Sequence, residues 1–179
     1  MIRHLTLPNQ LTILRLVLVP VIGYTLTATW AFHDQVSVVV YSAAAATDTL
    51  DGRIARSRHL VSELGKFLDP LADKVLVITV LAILVGETVV PFWVVVVIFM
   101  REFVITGLRF VAAAQGVVVS ATPWGKSKTV TQNLMIALLI LEQPYPALKP
   151  AALAFVILAV ATTVASGLDY VWRYRRFVI

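Results

Sequence analysis

Long apolar runs alternate with short polar, proline- or glycine-containing breaks along the whole chain. Most runs approach or exceed the roughly 20 residues that a helix needs to cross a membrane. The pattern predicts an all-α integral membrane bundle, built as one domain over residues 1–179. Its six transmembrane helices are expected at Ile13–Trp30, Val36–Ile54, Phe67–Gly86, Val89–Ala114, Gly125–Leu141 and Pro150–Trp172. The mixed apolar and basic segment Met1–Leu14 is predicted to be a short interfacial helix.

The composition agrees with a membrane protein. Of the residues, 59% are hydrophobic and the mean hydropathy is +0.88, whereas a soluble domain is about half apolar. The chain has no cysteine, so neither disulfides nor thiolate metal ligands are available. The net charge is +5, but little soluble surface exists to present it, so nucleic acid is not an expected partner.

The basic residues predict an orientation. Of the 15 Lys and Arg residues, only Lys149 falls in the first, third or fifth connection between the predicted spans. Because cytoplasmic loops of membrane proteins are enriched in Lys and Arg, both termini are expected in the cytoplasm. The expected location is the plasma membrane, which the chain crosses several times.

Four aspartates stand out in this apolar chain. Asp48 and Asp51 are three residues apart, and Asp69 and Asp73 are four apart, so each pair lies on one face of a helix. Carboxylates at membrane depth need a partner. An all-oxygen ligand set favours Mg²⁺ or Mn²⁺, and two such ions could clamp a phosphate. The alternative is that the aspartates neutralise the basic residues around them.

The glycines beside these aspartates have two interpretations. Gly52 follows Asp48 by four residues, and Gly65 precedes Asp69 by four. The missing side chains would let a ligand approach the backbone closely. The alternative is close packing between membrane helices. Arg56, at the cytoplasmic end of the same helix, suits a phosphoryl group.

Together these residues form the pattern D-x2-D-G-x2-A-R-x8-G-x3-D-x3-D. It resembles, without departure, the signature of the CDP-alcohol phosphotransferases. The resemblance implies that a substituted phosphate passes from a CDP-linked donor to an alcohol, with release of CMP. It implies that Asp48, Asp51, Asp69 and Asp73 bind two metal ions and that Asp73 is also the catalytic base. The family also implies a homodimer.

Two further segments resemble the phosphatidylglycerophosphate synthases of that family. The opening Pro8-Asn9-Gln10-Leu11-Thr12-x-x-Arg15 neighbours the nucleotide in those enzymes, as does a residue that aligns with Ser62. The expected CDP-diacylglycerol site is therefore Asn9, Thr12, Gly52, Arg56 and Ser62. Helix capping after Pro8 is the alternative role of Asn9 and Thr12.

The second segment contains Arg101-Glu102-Phe103, Arg109 and Gly125-Lys126-x-Lys128. Arg109, Lys126 and Lys128 are expected to bind the phosphate of sn-glycerol 3-phosphate. Arg101 and Glu102 could instead form a purely structural pair, and the two lysines could be ordinary cytoplasmic flanking charges. From Leu141 onward the sequence offers no chemistry beyond an ion pair of Asp169 with Arg173.

The predicted function is transfer of the phosphatidyl group from CDP-diacylglycerol to sn-glycerol 3-phosphate, which gives phosphatidylglycerophosphate and CMP. Within the family, the alternative acceptor is another polar alcohol such as inositol phosphate. An alternative of another class is a divalent-cation transporter whose acids line a pathway. Against it, the predicted outer half of the membrane offers no matching polar residues.

Overall fold

The computed structural model describes residues 7–57, 63–116 and 123–175, and this part of the chain is helical without any strand. The long helices are α1 (Leu7–Leu26), α2 (His33–Ser57), α3 (Glu63–Gly86), α4 (Phe92–Ala114), α5 (Pro123–Leu141) and α6 (Lys149–Tyr174). A short 3-10 turn at Pro146–Leu148 precedes α6. The all-α class and six long helices agree with the sequence prediction.

Helix α1 differs from the prediction at its N-terminal end. It begins at Leu7 and continues unbroken to Leu26, so Leu7–Leu14 belongs to the first long helix rather than to a separate interfacial one. Pro8 lies in the first turn, where its missing N–H needs no helical partner. Residues 1–6 of the predicted interfacial segment lie outside the described part of the chain.

Helix α2 also begins earlier than predicted, at His33 rather than Val36. Asp34 lies in its first turn, where a carboxylate interacts favourably with the helix dipole. The Ser37 hydroxyl donates to the His33 carbonyl at 2.7 Å and lies 2.8 Å from the Thr25 hydroxyl. This contact joins the start of α2 to the end of α1.

One segment of the described residues, Pro146–Tyr174, is long and apolar enough to cross a membrane by length and composition. Thr12–Leu26 is a shorter apolar helix. In α4, the charges of Arg101, Glu102 and Arg109 interrupt the apolar sequence. Six spanning helices therefore stay a prediction from the sequence.

The chain divides into two compact units, Met1–Glu87 and Thr88–Ile179. In the first unit, α1 packs along both α2 and α3, and its buried core includes Ile22, Tyr41, Leu76, Val80 and Leu84. In the second, α6 packs along both α4 and α5, and its core includes Val94, Ile98, Met135, Ile140 and Tyr170.

Candidate functional site

The four aspartates lie on two helices at matching distances from the connection between them. Asp48 and Asp51 belong to α2, which ends at Ser57, and Asp69 and Asp73 belong to α3, which begins at Glu63. At 1.5 Å per residue, both pairs lie roughly 9–15 Å from the connected ends of their helices. Because both helices are continuous here, each pair keeps the one-face spacing that metal binding requires.

The side chain of Asp73 is the one member of this set that is described, and it is half-buried. It lies within electrostatic reach of the Tyr41 hydroxyl, which is buried in the core of the first unit. The described side chains contain no cluster of three or more potential metal ligands. The described part of the chain does not include the side chains of Asp48, Asp51 and Asp69. The cluster of four carboxylates therefore stays a prediction.

The predicted donor residues also lie mainly on α1 and α2. Thr12 is fully buried in the second turn of α1, so it lies inside the helix rather than at its N-cap. Asn9 belongs to α1, and Gly52 and Arg56 belong to α2. The side chains of Asn9 and Arg56, the surroundings of Gly52 and all of Ser62 lie outside the described part of the chain. Whether these residues converge stays a prediction.

Arg15 was not among the predicted site residues, yet it ties α1 to the start of the aspartate motif. Its side chain is only 1% exposed. Its guanidinium donates to the Ala44 carbonyl at 3.3 Å and to the Thr47 hydroxyl at 3.5 Å. Thr47 immediately precedes Asp48. The sequence contained a signal, since an arginine in an apolar helix needs a buried partner.

The second unit holds a charged network on α4 and α5. The Glu102 carboxylate accepts from Arg101 at 2.9 Å and from Lys128 at 2.6 Å. All three side chains are at least mostly buried, and Lys128 is 7% exposed as a residue. The contact between Arg101 and Glu102 that the sequence analysis gave as a structural alternative is present. Lys128 therefore contacts a carboxylate in this structure, and these three side chains carry one net positive charge.

Helix α6 completes this network with residues that the sequence analysis missed. Arg101 donates to the Ser166 hydroxyl, and Arg109 donates to the Tyr170 hydroxyl at 2.8 Å. Both residues of α6 are buried. Lys126 is exposed on α5. The available signal was a set of small or polar residues at helical spacing in an otherwise apolar helix: Thr162, Thr163, Ser166, Gly167 and Tyr170.

Comparison with known proteins assigns the chain to a family. The sequence model of the family described as CDP-alcohol phosphatidyltransferase matches residues 5–165, which is most of both compact units. The chain belongs to the CDP-alcohol phosphatidyltransferase family. Its members are membrane-associated enzymes that generally depend on a metal ion. The predicted family is confirmed. Because its members are enzymes, the assignment supports the enzyme prediction rather than the divalent-cation transporter alternative.

Individual relatives in this CDP-alcohol phosphatidyltransferase family cover three quarters or more of the chain. The chain is 39% identical to the CDP-diacylglycerol–glycerol-3-phosphate 3-phosphatidyltransferase of Bacillus subtilis, over 92% of each protein. It is 38% identical to a probable phosphatidylglycerophosphate synthase of Mycobacterium tuberculosis, over 97% of this chain and 84% of that one. The chain is also 37% identical to the CDP-diacylglycerol–glycerol-3-phosphate 3-phosphatidyltransferase of Rickettsia bellii, over 75% of each protein.

Proposed function

We propose that this protein transfers the phosphatidyl group of CDP-diacylglycerol to sn-glycerol 3-phosphate and produces phosphatidylglycerophosphate and CMP. The observation that carries the proposal is the 39% identity, over 92% of the chain, to an enzyme named for that reaction. The unbroken aspartate pattern on α2 and α3 supports the same chemistry. The product would enter phosphatidylglycerol synthesis.

The aspartates suit two Mg²⁺ or Mn²⁺ ions. Asp48, Asp51, Asp69 and Asp73 would hold them, since hard divalent cations prefer carboxylate oxygens. The ions would supply positive charge that stabilises the developing charge on the pyrophosphate. The two aspartate pairs lie on continuous helices at matching distances from the connection between α2 and α3, which supports this ligand set. Around the metal ions, CDP-diacylglycerol would contact Thr12, Asn9, Gly52, Arg56 and Ser62.

The reaction needs a base for the acceptor hydroxyl. Asp73 would take its proton while the hydroxyl oxygen attacks the phosphorus that bears diacylglycerol. A new phosphorus–oxygen bond forms, and the bond from that phosphorus to the oxygen of CMP breaks. CMP leaves with that oxygen and the electron pair. The half-buried location of Asp73 on α3 supports the role, because a base must be shielded from competing water yet reachable by substrate.

Arg109, Lys126 and Lys128 would bind the acceptor phosphate. Lys128 shares the Glu102 carboxylate with Arg101, so it is already oriented. Arg101, Arg109 and Lys128 together carry three positive charges against one negative charge on Glu102. A phosphate monoester carries about −1.5 to −2 near neutral pH, which matches this surplus. The charge balance therefore supports a phosphorylated acceptor over a neutral alcohol.

The protein would cross the plasma membrane several times, with both termini and the reaction site on the cytoplasmic side. The distribution of Lys and Arg supports this orientation. The apolar length of Pro146–Tyr174 supports one of the spans. We further propose a homodimer, which rests on the resemblance to the family.

An acceptor panel tests the proposed function. Purified protein is incubated with CDP-diacylglycerol, Mg²⁺ and one of four acceptors: sn-glycerol 3-phosphate, inositol 1-phosphate, glycerol or inositol. CMP release and the lipid product are measured together. We expect both only with sn-glycerol 3-phosphate. Turnover with inositol 1-phosphate but not with sn-glycerol 3-phosphate would show that the proposed acceptor is wrong. Absence of CMP release with every acceptor would contradict the proposed enzymatic activity.

A further inference from the structure

One buried aromatic ring on α6 receives two arginines from α4. The Arg101 guanidinium carbon lies 5.6 Å from the centroid of the Tyr170 ring, and that of Arg109 lies 5.3 Å from it. Arg109 also donates to the hydroxyl of the same tyrosine at 2.8 Å. Tyr170 is only 1% exposed. Its ring and its hydroxyl therefore both contact cations.

The convergence of the two arginines is not a property of α4 alone. Arg101 and Arg109 are eight residues apart, so their backbones are separated by about 12 Å along the helix. Long arginine side chains have many rotamers and can point away from each other. The Tyr170 ring lies within reach of both guanidiniums and favours the rotamers that direct them to one place.

The surrounding residues of α6 fit the same arrangement. Ser166, one turn before Tyr170, accepts from Arg101. At Gly167, an added Cβ would come within 3.3 Å of the Cγ of Arg101, so the missing side chain leaves room for the arginine stem. Glu102 accepts from the other side of the Arg101 guanidinium. This face of α6 therefore accommodates Arg101 by hydrogen bonding, space and ring contact together.

Holding two guanidiniums at one ring has an electrostatic cost. Like charges at short range repel each other, and the repulsion is stronger in a poorly solvated site. The nearby Glu102 already accepts from Arg101 and Lys128, and it supplies only one negative charge. The arrangement is explained if an anion of about two charges binds there during function.

We propose that Tyr170 is a positioning residue that aligns Arg101 and Arg109 for the phosphate of the acceptor. The inference rests on the proposed function, and it adds Arg101 to the cations that face the phosphate and Tyr170 as the residue that aligns them. Tyr170 acts through the arginines and does not itself touch the reacting atoms. Because pre-aligned cations lose less freedom when the phosphate binds, the ring raises acceptor affinity rather than the rate of the chemical step.

Two substitutions separate the hydroxyl from the ring. Tyr170→Phe keeps the ring but removes the acceptor for Arg109, and we expect the KM for glycerol 3-phosphate to rise about tenfold. Tyr170→Leu removes the ring as well, and we expect a rise of about a hundredfold. In the Phe variant, kcat and the KM for CDP-diacylglycerol should stay within about twofold of the wild type, since only ground-state acceptor binding is lost.

Inorganic phosphate provides a readout that a purely structural role would not change. As a competitor of glycerol 3-phosphate, its inhibition constant should rise in Tyr170→Phe by the same factor as the acceptor KM. Tyr24→Phe is the matched control, because it removes a hydroxyl from a tyrosine of α1 that is 70% exposed. It should change neither constant. The thermal midpoint of each variant in detergent checks folding.

The outcomes distinguish this inference from the proposed function. If the wild type makes phosphatidylglycerophosphate but Tyr170→Phe changes neither the acceptor KM nor phosphate inhibition, Tyr170 only packs and the inference is overturned. An equal rise in both substrate constants overturns it too. If the wild type does not use glycerol 3-phosphate, the proposed function fails. Calorimetric binding of inorganic phosphate then decides, and equal affinity in wild type and Tyr170→Phe rejects the inference.

Discussion

The two compact units accommodate buried cations in different ways. In the first, Arg15 donates to the neutral oxygens of Ala44 and Thr47 and thereby ties α1 to α2 just before the aspartate motif. In the second, Arg101 and Lys128 share the Glu102 carboxylate, and Arg101 and Arg109 meet at Tyr170. The described contacts of Arg15 are thus to neutral oxygens of the neighbouring helix, whereas those in the second unit are to a shared carboxylate and an aromatic ring.

This difference suggests a division of labour that experiments can break. The first unit carries the carboxylates proposed for metal binding and proton transfer, so its variants should lose turnover. The second unit carries the cations proposed for the acceptor, so its variants should lose acceptor affinity first.

Removal of divalent cations should abolish turnover. Exhaustive chelation should leave no measurable CMP release, because the charge of the pyrophosphate would be uncompensated. Added Mg²⁺ or Mn²⁺ should restore activity, whereas Ca²⁺, which prefers a larger and more irregular coordination shell, should restore little. Activity that survives chelation contradicts the two-metal proposal.

Replacement of the proposed base should act on the chemical step. Asp73→Asn keeps the shape of the side chain but cannot accept the proton, so kcat should fall by about a thousandfold. Binding of CDP-diacylglycerol, measured separately by calorimetry, should change little. Asp34→Asn, in the first turn of α2 and outside the motif, is the matched control. Near-normal turnover of Asp73→Asn would show that another group is the base.

Removal of a single acceptor cation should raise the KM for glycerol 3-phosphate selectively. We expect about a ten- to hundredfold rise for Arg109→Ala, Lys126→Ala or Lys128→Ala, from the loss of a charged hydrogen bond. Lys128→Ala should also lower the thermal midpoint, because it removes a partner of Glu102. Lys126→Ala should leave the thermal midpoint unchanged, because Lys126 is exposed. Lys149→Ala is the control. Equal changes in both substrate constants would mean that these residues only anchor helices.

Neutralisation of Glu102 should destabilise the second unit. Glu102→Gln keeps an acceptor oxygen but leaves Arg101 and Lys128 without a compensating charge, which should cost about 2 kcal/mol of unfolding free energy, the range of a charged hydrogen bond. Asp169→Asn is the comparison variant. It breaks the predicted pair with Arg173, which is confirmed at 2.7 Å, but the Arg173 side chain is half exposed to solvent, so a smaller change than for Glu102→Gln is expected. Similar thermal midpoints for the two variants would contradict the structural role of Glu102.

The smallest effect concerns Glu87 at the end of the first unit. Partial burial, and then the nearby Asp34, raise the pKa of Glu87, while His33 lowers it less. A raised carboxyl pKa in the folded state means that stability is lost as the pH rises through that pKa. Glu87→Gln should therefore raise the thermal midpoint slightly at pH 7. The difference should vanish below the ordinary glutamate pKa of 4.5, and a lower midpoint at pH 7 would contradict it.

The sequence predicted best what depends on local spacing. Apolar run length located six helices to within several residues, and the i,i+4 rule predicted the Asp169–Arg173 pair. The sequence analysis missed the early start of α1, because the mixed apolar and basic segment around Pro8 resembles a separate helix. Proline is nevertheless compatible with a first helical turn. Family resemblance supplied the roles of the aspartates, which spacing alone left open.

Contacts between distant parts of the chain could not be predicted in the same way. Ser166 and Tyr170 contact residues more than sixty positions earlier, and no local periodicity encodes which helices become neighbours. The partners of Arg15 lie about thirty residues later for the same reason. Polar residues in apolar helices signal that a partner exists, but only packing identifies it.

The buried contact of Arg15 has a consequence for how the protein enters a membrane. An arginine within an apolar helix needs a partner inside the protein before that helix can leave a polar environment. The oxygens that accept from Arg15 belong to α2 and become available only when that helix arrives. We therefore expect α1 to be retained at the insertion machinery until α2 has been synthesised. The unit of biogenesis at this end of the chain is then the pair of helices α1 and α2 rather than a single helix.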